Sequence, residues 1–304
     1  MKRARIIVLI VVAVLFGALL CALLLPREPV YAGRPVSEWI EQLTGGVGSG
    51  AGAVSSQALP ALVQQKPGPE IVPYLRTTLY RGRSVKDRVY ASLYAKLPPV
   101  ILRHLPGPNP ARDAELRYRA GLILYYLGAD AKKAWPDLAR ALQDENQEVR
   151  RIAASALGSV GPDARACAAG LIAVLRDPVT DVRRAALKSL ARVQDDPAIA
   201  VPAIARMLKD PDDGVRTDSA QLLKDFGPRA APAVRSLVDA LRDPNDDVFR
   251  FAAMALGRIG RDAYDAVPAL RQALFERGPY NQATIRWALR QIDEHDLTNA
   301  DLSH

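Results

Sequence analysis

One feature constrains the fold more than any other: apolar residues recur along the chain at a constant step of 33 positions. The recurrence runs without an insertion from Leu116 to Ile292, and such a step is typical of proteins built from stacked structural repeats. The clearest series is a leucine found once per repeat, at Leu124, Leu157, Leu190, Leu223, Leu256 and Leu289. A second series comprises Leu142, Leu175, Leu208, Leu241 and Leu274.

Each repeat has the pattern of two helices joined by short turns. Val149, Ala153 and Leu157 follow one another at helical spacing, and Gly161-Pro162 then ends that helix. A second helix carries Leu171, and an Asp-Pro turn follows it. Because one such hairpin cannot bury its apolar face alone, neighbouring hairpins must stack. The sequence therefore predicts an all-α fold, a right-handed α-solenoid of about five helix hairpins.

Two repeat families of nearly the same period do not fit. Ankyrin repeats need a TPLHxA-like start and room for a β-turn finger, and the aromatic and glycine pattern of tetratricopeptide repeats is missing. The turns instead place an Asp six residues before an Arg, at Asp144/Arg150, Asp177/Arg183 and Asp210/Arg216. In this feature the repeats resemble the short bacterial type of HEAT repeat, including the HEAT-like repeats of phycobilin lyases.

This resemblance covers about Ala114 to Asp293 and implies that the Asp and Arg residues form a polar ladder between stacked units. The ladder is expected to end at Asp243, because Phe249 stands where the next Arg would be. Catalytic groups do not usually recur once per unit, so we interpret these residues as structural.

The N-terminal region is unlike the repeats. Ile6 to Leu25 is uncharged and long enough, as a helix, to cross a bilayer, and three positive charges precede it. We therefore expect a single-pass membrane protein with a cytoplasmic N-terminus and with repeats on the periplasmic or extracellular side. The alternative is a signal peptide cleaved near Ala32. Residues 28–43 have the form YxGxxxSxWxxxL and are similar to a juxtamembrane segment of membrane-anchored bacterial HEAT-repeat proteins.

We divide the chain into six regions. They are a cytoplasmic stub (1–5), a transmembrane helix acting as signal anchor (6–25), a juxtamembrane segment with a glycine-rich loop (26–52), a degenerate N-terminal helical cap (53–110), the HEAT-repeat array (111–293) and a C-terminal tail (294–304).

Residues that carry catalysis, cofactors or metals are scarce. The chain has two cysteines and three histidines, and neither metal-ligand spacing nor a known catalytic motif is present. Cys167 occupies a position that is alanine in other repeats, so we interpret it as filling a small buried slot. We predict no enzymatic activity, no cofactor and no metal. A phycobilin-lyase-like enzyme or enzyme accessory protein is the alternative.

Outward positions of the second helices supply the first candidate binding surface. On these helices, the positions equivalent to Arg140 and Gln143 point away from the apolar side marked by Leu138 and Leu142. The cations at these positions form a set that we call the basic stripe: Arg140, Arg176, Arg206, Lys209 and Arg242. By resemblance to HEAT arrays, whose second helices line the concave surface, the stripe would face a groove suited to an acidic protein segment or anionic polymer. A merely solvated face is the alternative.

A second candidate surface consists of apolar residues near the end of the array, Met254, Phe275 and Trp287. Exposed together, they would dock a partner unless the C-terminal tail covers them. The predicted function is thus a membrane-tethered, non-catalytic scaffold that binds a protein or other macromolecule on its concave surface. Nucleic acid is not expected as a partner, because aromatic residues are not interleaved with the basic stripe.

Overall fold

The computed structural model describes residues 29–31, 33–42, 68–194 and 196–293. The predicted cytoplasmic stub, membrane span, glycine-rich loop and C-terminal tail lie outside the described residues. The chain forms two compact units that divide between Leu62 and Val63, and each is described by itself.

In the first unit, residues 29–31 and 33–42 form a small hairpin followed by a helix. Strands β1 (Val30–Tyr31) and β2 (Arg34–Pro35) pair in antiparallel orientation. Gly33, in the turn between them, has a φ of 77°, a conformation that favours glycine. Helix α1 (Val36–Gln42) follows directly, and its first N–H donates to the carbonyl oxygen of Pro29 at 3.1 Å.

The second unit opens with short helices, in the region predicted as a degenerate cap. They are a 3₁₀ turn (Pro69–Ile71), α2 (Val72–Thr78), α3 (Val85–Tyr94) and α4 (Pro99–Leu102). A capping box starts α3: the Ser84 hydroxyl accepts the N–H of Asp87, and the Asp87 carboxylate accepts the N–H of Ser84. Leu75 of α2 is fully buried, whereas α3 and α4, which the structure describes in full, bury no side chain.

From Pro110 to Ile292, long and short helices alternate. The long helices are α5 (Pro110–Leu127), α7 (Gln147–Val160), α9 (Thr180–Val193), α11 (Asp213–Phe226), α13 (Asp246–Ile259) and α15 (Pro279–Ile292). The short helices between them are α6 (Trp135–Ala141), α8 (Ala168–Val174), α10 (Pro197–Arg206), α12 (Val234–Ala240) and α14 (Val267–Glu276). Each short helix packs against the long helix that follows it, and successive long helices pack against one another.

The core of this array consists of the periodic apolar residues. Leu157 and Leu190, one repeat apart on long helices, are both fully buried, and so are Leu138 and Leu171 on short helices. Burying one leucine side chain contributes about 1.5–3 kcal/mol, which explains why the hairpins stack. The prediction of an all-helical solenoid is confirmed: within residues 68–194 and 196–293 the structure contains helices and turns but no strand.

Most long helices end at a glycine in a backbone conformation that other residues rarely adopt. Gly128, Gly161, Gly227 and Gly260 have φ values between 55° and 77°, and a 3₁₀ segment leads from each to the next short helix. The sequence predicted the helix ends but not these 3₁₀ segments. The equivalent residue after α9 is Gln194, with φ of −117° and ψ of 103°, and the described residues between α9 and α10, 194 and 196, form no 3₁₀ segment.

The localisation predicted from the sequence, a single-pass membrane protein, is wrong. Across the described ranges, no helix combines the length and the apolar character needed to cross a membrane. The physical reason is that these helices are amphipathic: even the longest, α5, carries Arg112, Arg117 and Arg119. The segment 6–25, on which the prediction depended, lies outside the described residues.

Candidate binding surfaces

Arginines of one long helix bind aspartates that follow the next short helix. Each guanidinium donates to both carboxylate oxygens through Nε and one Nη, at distances between 2.7 and 3.2 Å. We call this set the arginine ladder. Its pairs are Arg117–Asp144, Arg150–Asp177, Arg183–Asp210 and Arg216–Asp243.

The same arginines also hold the turn that precedes their own helix. Arg183 donates through Nη1 to the backbone carbonyl oxygen of Asp177 at 3.0 Å, while its Nε and Nη2 bind the Asp210 carboxylate. Arg150 and Arg216 repeat both contacts. An Arg six residues after an Asp therefore binds the backbone carbonyl oxygen of that Asp. The side-chain carboxylate of the same Asp binds a different arginine, 27 residues before it.

Two of the ladder carboxylates, those of Asp144 and Asp177, have a pKa that favours the charged state. Burial alone would raise the pKa of Asp144, but hydrogen bonds from Arg117 and from the Asn146 N–H, with the charges of Arg117 and Arg83, lower that pKa below its usual value. The pKa of Asp177 is lowered against burial in the same way. Each of these two carboxylates thus accepts hydrogen bonds from a guanidinium and from a backbone N–H group of the turn that follows it.

The ladder begins at Arg117, which the sequence reading missed. Arg117 stands one repeat before Arg150, so the period itself could have identified it. Its partner Asp144 has a fully buried side chain and receives a second cation, Arg83, at 2.9 Å. The preceding helices are thereby tied to the first regular hairpin.

At its other end the ladder changes chemistry. Phe249 replaces the expected arginine, and the Arg277 guanidinium lies 4.4 Å from the centre of its ring. Arg277 Nη2 donates to the carbonyl oxygen of Asp243 at 2.7 Å, the contact that a ladder arginine would otherwise make. Nothing in the repeat pattern points to Arg277, because it lies outside the ladder series.

All members of the basic stripe are exposed, on the short helices or in the turns directly after them. Two of the cations are held by neighbours: Arg140 donates to the Tyr80 hydroxyl at 2.7 Å, and Lys209 Nζ lies 3.1 Å from Asp239. The hydrogen bond to Tyr80 raises the pKa of Arg140. The stripe members whose side chains form no ion pair with another described residue are Arg176, Arg206 and Arg242.

The second candidate surface, Met254, Phe275 and Trp287, is divided between short and long helices. Phe275, near the end of the short helix α14, is 87% exposed. Trp287 is 38% exposed on the long helix α15, and Met254 is half-buried on α13. The Trp287 ring lies so close to Gly257 that a Cβ built there would approach it to 2.6 Å. Met254 and Trp287 therefore share the long-helix layer, and Phe275 belongs to the other layer.

Cys167 has the environment of an unreactive thiol. It is buried, its Sγ lies 3.8 Å from the carbonyl oxygen of Trp135, and burial raises its pKa to about 11. A thiol with this pKa is protonated near neutral pH and a poor nucleophile. Over the described ranges, no three His, Cys, Asp or Glu side chains come together as they would to bind a metal.

A feature that the sequence reading missed is a cleft of about 420 Å³ between α9 and α11. We call it the α9–α11 cleft. One sequence signal for it is that Gln194 interrupts the series of helix-ending glycines. Its walls are formed by Lys188, Ala191, Arg192, Asp218, Gln221, Leu222, Asp225, Phe226 and Arg229.

The stacked hairpins of long and short helices define an α-solenoid. Family models agree and are more specific: residues 135–164 match the HEAT repeat, and residues 168–257 and 234–300 match a second model described as HEAT repeats. The array therefore belongs to the HEAT-repeat family. No curated protein matches the chain significantly.

Solved structures similar to the chain include engineered and designed proteins. A designed armadillo repeat protein in complex with the peptide (KR)4 is 17% identical, with a TM-score of 0.49, over 61% of this chain and 96% of that one. An engineered protein of the Northeast Structural Genomics Consortium is 22% identical, with a TM-score of 0.48, over 60% of this chain and 92% of that one. A second from the same source is 20% identical, with a TM-score of 0.49, over 86% and 68%.

Proposed function

We propose that this protein is a non-catalytic HEAT-repeat scaffold that binds an acidic segment of a protein partner through the basic stripe. The observation that carries the proposal is the charge of this surface. The stripe places five exposed cations on or beside the short helices. Of these, Arg176, Arg206 and Arg242 form no ion pair with another described residue. Several unpaired guanidiniums on one kind of helix favour a ligand with several carboxylates.

The matched family unit changes where this surface is expected to lie. The match at residues 135–164 starts with the short helix α6 and ends after the long helix α7, so the second helix of a unit is the long one. The family's arrangement would then place the long helices, and not the basic stripe, on the concave side. The proposal accordingly rests on exposure and charge and not on concavity.

The alternative of a phycobilin-lyase-like activity has no observation in its favour among the described residues. The one described cysteine, Cys167, is buried with a raised pKa, and the walls of the α9–α11 cleft contain no cysteine or histidine.

The test is a crosslinked pull-down from cells that express the protein naturally, comparing wild type with Arg176→Glu/Lys209→Glu/Arg242→Glu. We expect proteins with acidic segments to be captured by the wild type and to fall at least about tenfold in the variant, since each reversed charge repels the ligand. Raising the salt concentration should also weaken capture by the wild type, because salt screens the attraction between charges.

A matched control variant reverses three exposed cations of the 3₁₀ segments, Lys132→Glu/Lys133→Glu/Arg261→Glu. The control changes the net charge equally and should leave capture unchanged. If the stripe variant retained every partner of the wild type, the proposal would be wrong.

A further inference from the structure

The α9–α11 cleft is a local departure from an otherwise regular stack. At two other contacts, α7 with α9 and α13 with α15, successive long helices approach closely through small residues. A Cβ on Gly158 of α7 would come within 2.9 Å of the Ser189 Cα on α9, and one on Gly257 of α13 within 2.9 Å of the Ala288 Cα on α15. Between α9 and α11 the helices pack less closely.

Burial along one series of equivalent positions locates the opening. Ala156, Ser189, Ala255 and Ala288 are all buried in the contact between long helices, whereas Leu222 on α11, at the equivalent position, is only half-buried. Leu222 is larger than the residue at this position in α7, α9, α13 and α15, and the only other large member of the series is Ile123 of α5, at the start of the array. We attribute the looser packing of α9 against α11 to this larger side chain. It also provides an apolar floor to the cleft.

The turn after α9 contributes to the same departure. Gln194 stands where other long helices end in glycine, and α10 begins instead from Asp196, whose side chain accepts the N–H of Ala198. The short helix therefore enters without the 3₁₀ segment found in the other units. The altered connection before α10 and the larger Leu222 side chain therefore affect the packing of the same two hairpins.

The acidic residues of the cleft are already neutralised. Asp218 accepts a hydrogen bond from Arg184 at 2.8 Å and lies 3.1 Å from Lys188 Nζ. Asp225 likewise has two cationic neighbours, Lys224 at 3.4 Å and Arg258 at 3.9 Å.

Two guanidiniums of the cleft have no such partner. Neither Arg192 nor Arg229 forms an ion pair with another described residue, and the Arg229 guanidinium lies over the Phe226 ring at 5.2 Å. The cleft therefore presents unpaired positive charge beside an apolar floor made by Ala191, Leu222 and the Phe226 ring.

We propose that the α9–α11 cleft binds a peptide segment in which a carboxylate side chain is adjacent to an apolar one. The carboxylate would bind Arg192 and Arg229, and the apolar side chain would pack on Leu222. A volume of about 420 Å³ falls within the range of ligand pockets, about 300–1,000 Å³. A peptide fits better than inorganic phosphate, because only the peptide supplies an apolar side chain to cover Ala191, Leu222 and the Phe226 ring. The proposal does not depend on the basic stripe, which belongs to the short helices.

Fluorescence anisotropy with two labelled hexapeptides, (Glu-Leu)3 and (Glu)6, tests this site on the full chain. We expect (Glu-Leu)3 to bind at least about fivefold more tightly, because only it can fill the apolar floor. Arg192→Glu/Arg229→Glu should weaken that binding at least about tenfold, a change of about 1.4 kcal/mol. Ala191→Phe, which fills the cleft, should abolish the preference for (Glu-Leu)3.

Controls separate this site from simple charge attraction. Lys132→Glu/Arg261→Glu matches the charge change, and Ala173→Phe adds the same ring at an exposed site on α8; both should bind as the wild type does. The variant Arg176→Glu/Lys209→Glu/Arg242→Glu should retain the preference for (Glu-Leu)3. The proposal would be overturned if binding were lost in this stripe variant and kept in the cleft variant. Equal affinity for the two peptides, or displacement of (Glu-Leu)3 by equimolar inorganic phosphate, would also overturn it. Circular dichroism melts establish that the variants are folded.

Discussion

Arg183 illustrates how a single side chain can join two hairpins. Its fork binds the buried Asp210 carboxylate of the next turn, and its remaining nitrogen donates to the carbonyl oxygen of Asp177 in the preceding one. Charge-assisted, two-point hydrogen bonds of this kind contribute more than exposed ion pairs, because the partners are shielded from water. Where the pKa of the ladder carboxylate is lowered, as in Asp177, the stability of the turn depends on ionisation of that side chain.

At the residue scale, stability should fall in acid through Asp177. Its pKa in the folded protein is below its value in the unfolded chain. The stabilisation is therefore complete above about pH 4 and is lost as the pH falls through the folded-state pKa. We expect Asp177→Asn to cost about 1–3 kcal/mol at pH 7 and to flatten the dependence of unfolding free energy on pH below about pH 4.

Urea unfolding between pH 2 and pH 7 measures this, with the exposed Asp163→Asn as control. An unchanged pH profile in Asp177→Asn would show that the ladder carboxylate contributes nothing to acid sensitivity.

At the scale of elements, the ends of the long helices are the most constrained positions. Gly161 combines φ of 77° with ψ of −147°, a region that is essentially restricted to glycine, although a Cβ there would meet no atom within 4 Å. Gly161→Ala should therefore lower the free energy of unfolding by about 1–3 kcal/mol through backbone strain alone. Gly278→Ala is the matched control: its φ is −63° and its surroundings are equally open, so it should cost little. Equal losses in both variants, measured by urea denaturation, would contradict the strain argument.

Local spacing explains which features could be predicted from the sequence. Apolar periodicity predicted the helices, and glycine or Asp-Pro predicted where they end, because these signals act within one hairpin. The carboxylate partner of Arg183 could not be read in the same way, since spacing favoured Asp177 over Asp210, 27 residues ahead. The α9–α11 cleft was also missed, because it results from how two helices pack; its sequence signals, Gln194 and Leu222, do not by themselves indicate an opening.

At the scale of the whole molecule, the array should tolerate the loss of one complete repeat. Deletion of residues 147–179 joins Asn146 to Thr180. Arg183 would then keep Asp210 and gain the carbonyl of Asp144 in place of that of Asp177. We expect a folded, helical protein that unfolds cooperatively at a lower urea midpoint, because one interface between units is lost. Deletion of residues 147–163 removes a long helix without its short partner and should abolish cooperative unfolding. Circular dichroism during urea titration compares the two, and similar curves would refute the modular account.

The end of the ladder bears on how such a chain can change length over generations. An in-frame duplication of one unit between Arg117 and Asp243 gives every new arginine both of its contacts, so the gene can gain a repeat there without a compensating substitution. A copy added after Phe249 would lack a ladder arginine, because Phe249 stands at the arginine position. The carbonyl oxygen of Asp243, which such an arginine would bind, already accepts a hydrogen bond from Arg277. We therefore expect repeats to be gained within the part of the gene that encodes Arg117 to Asp243, and not after the codon for Phe249.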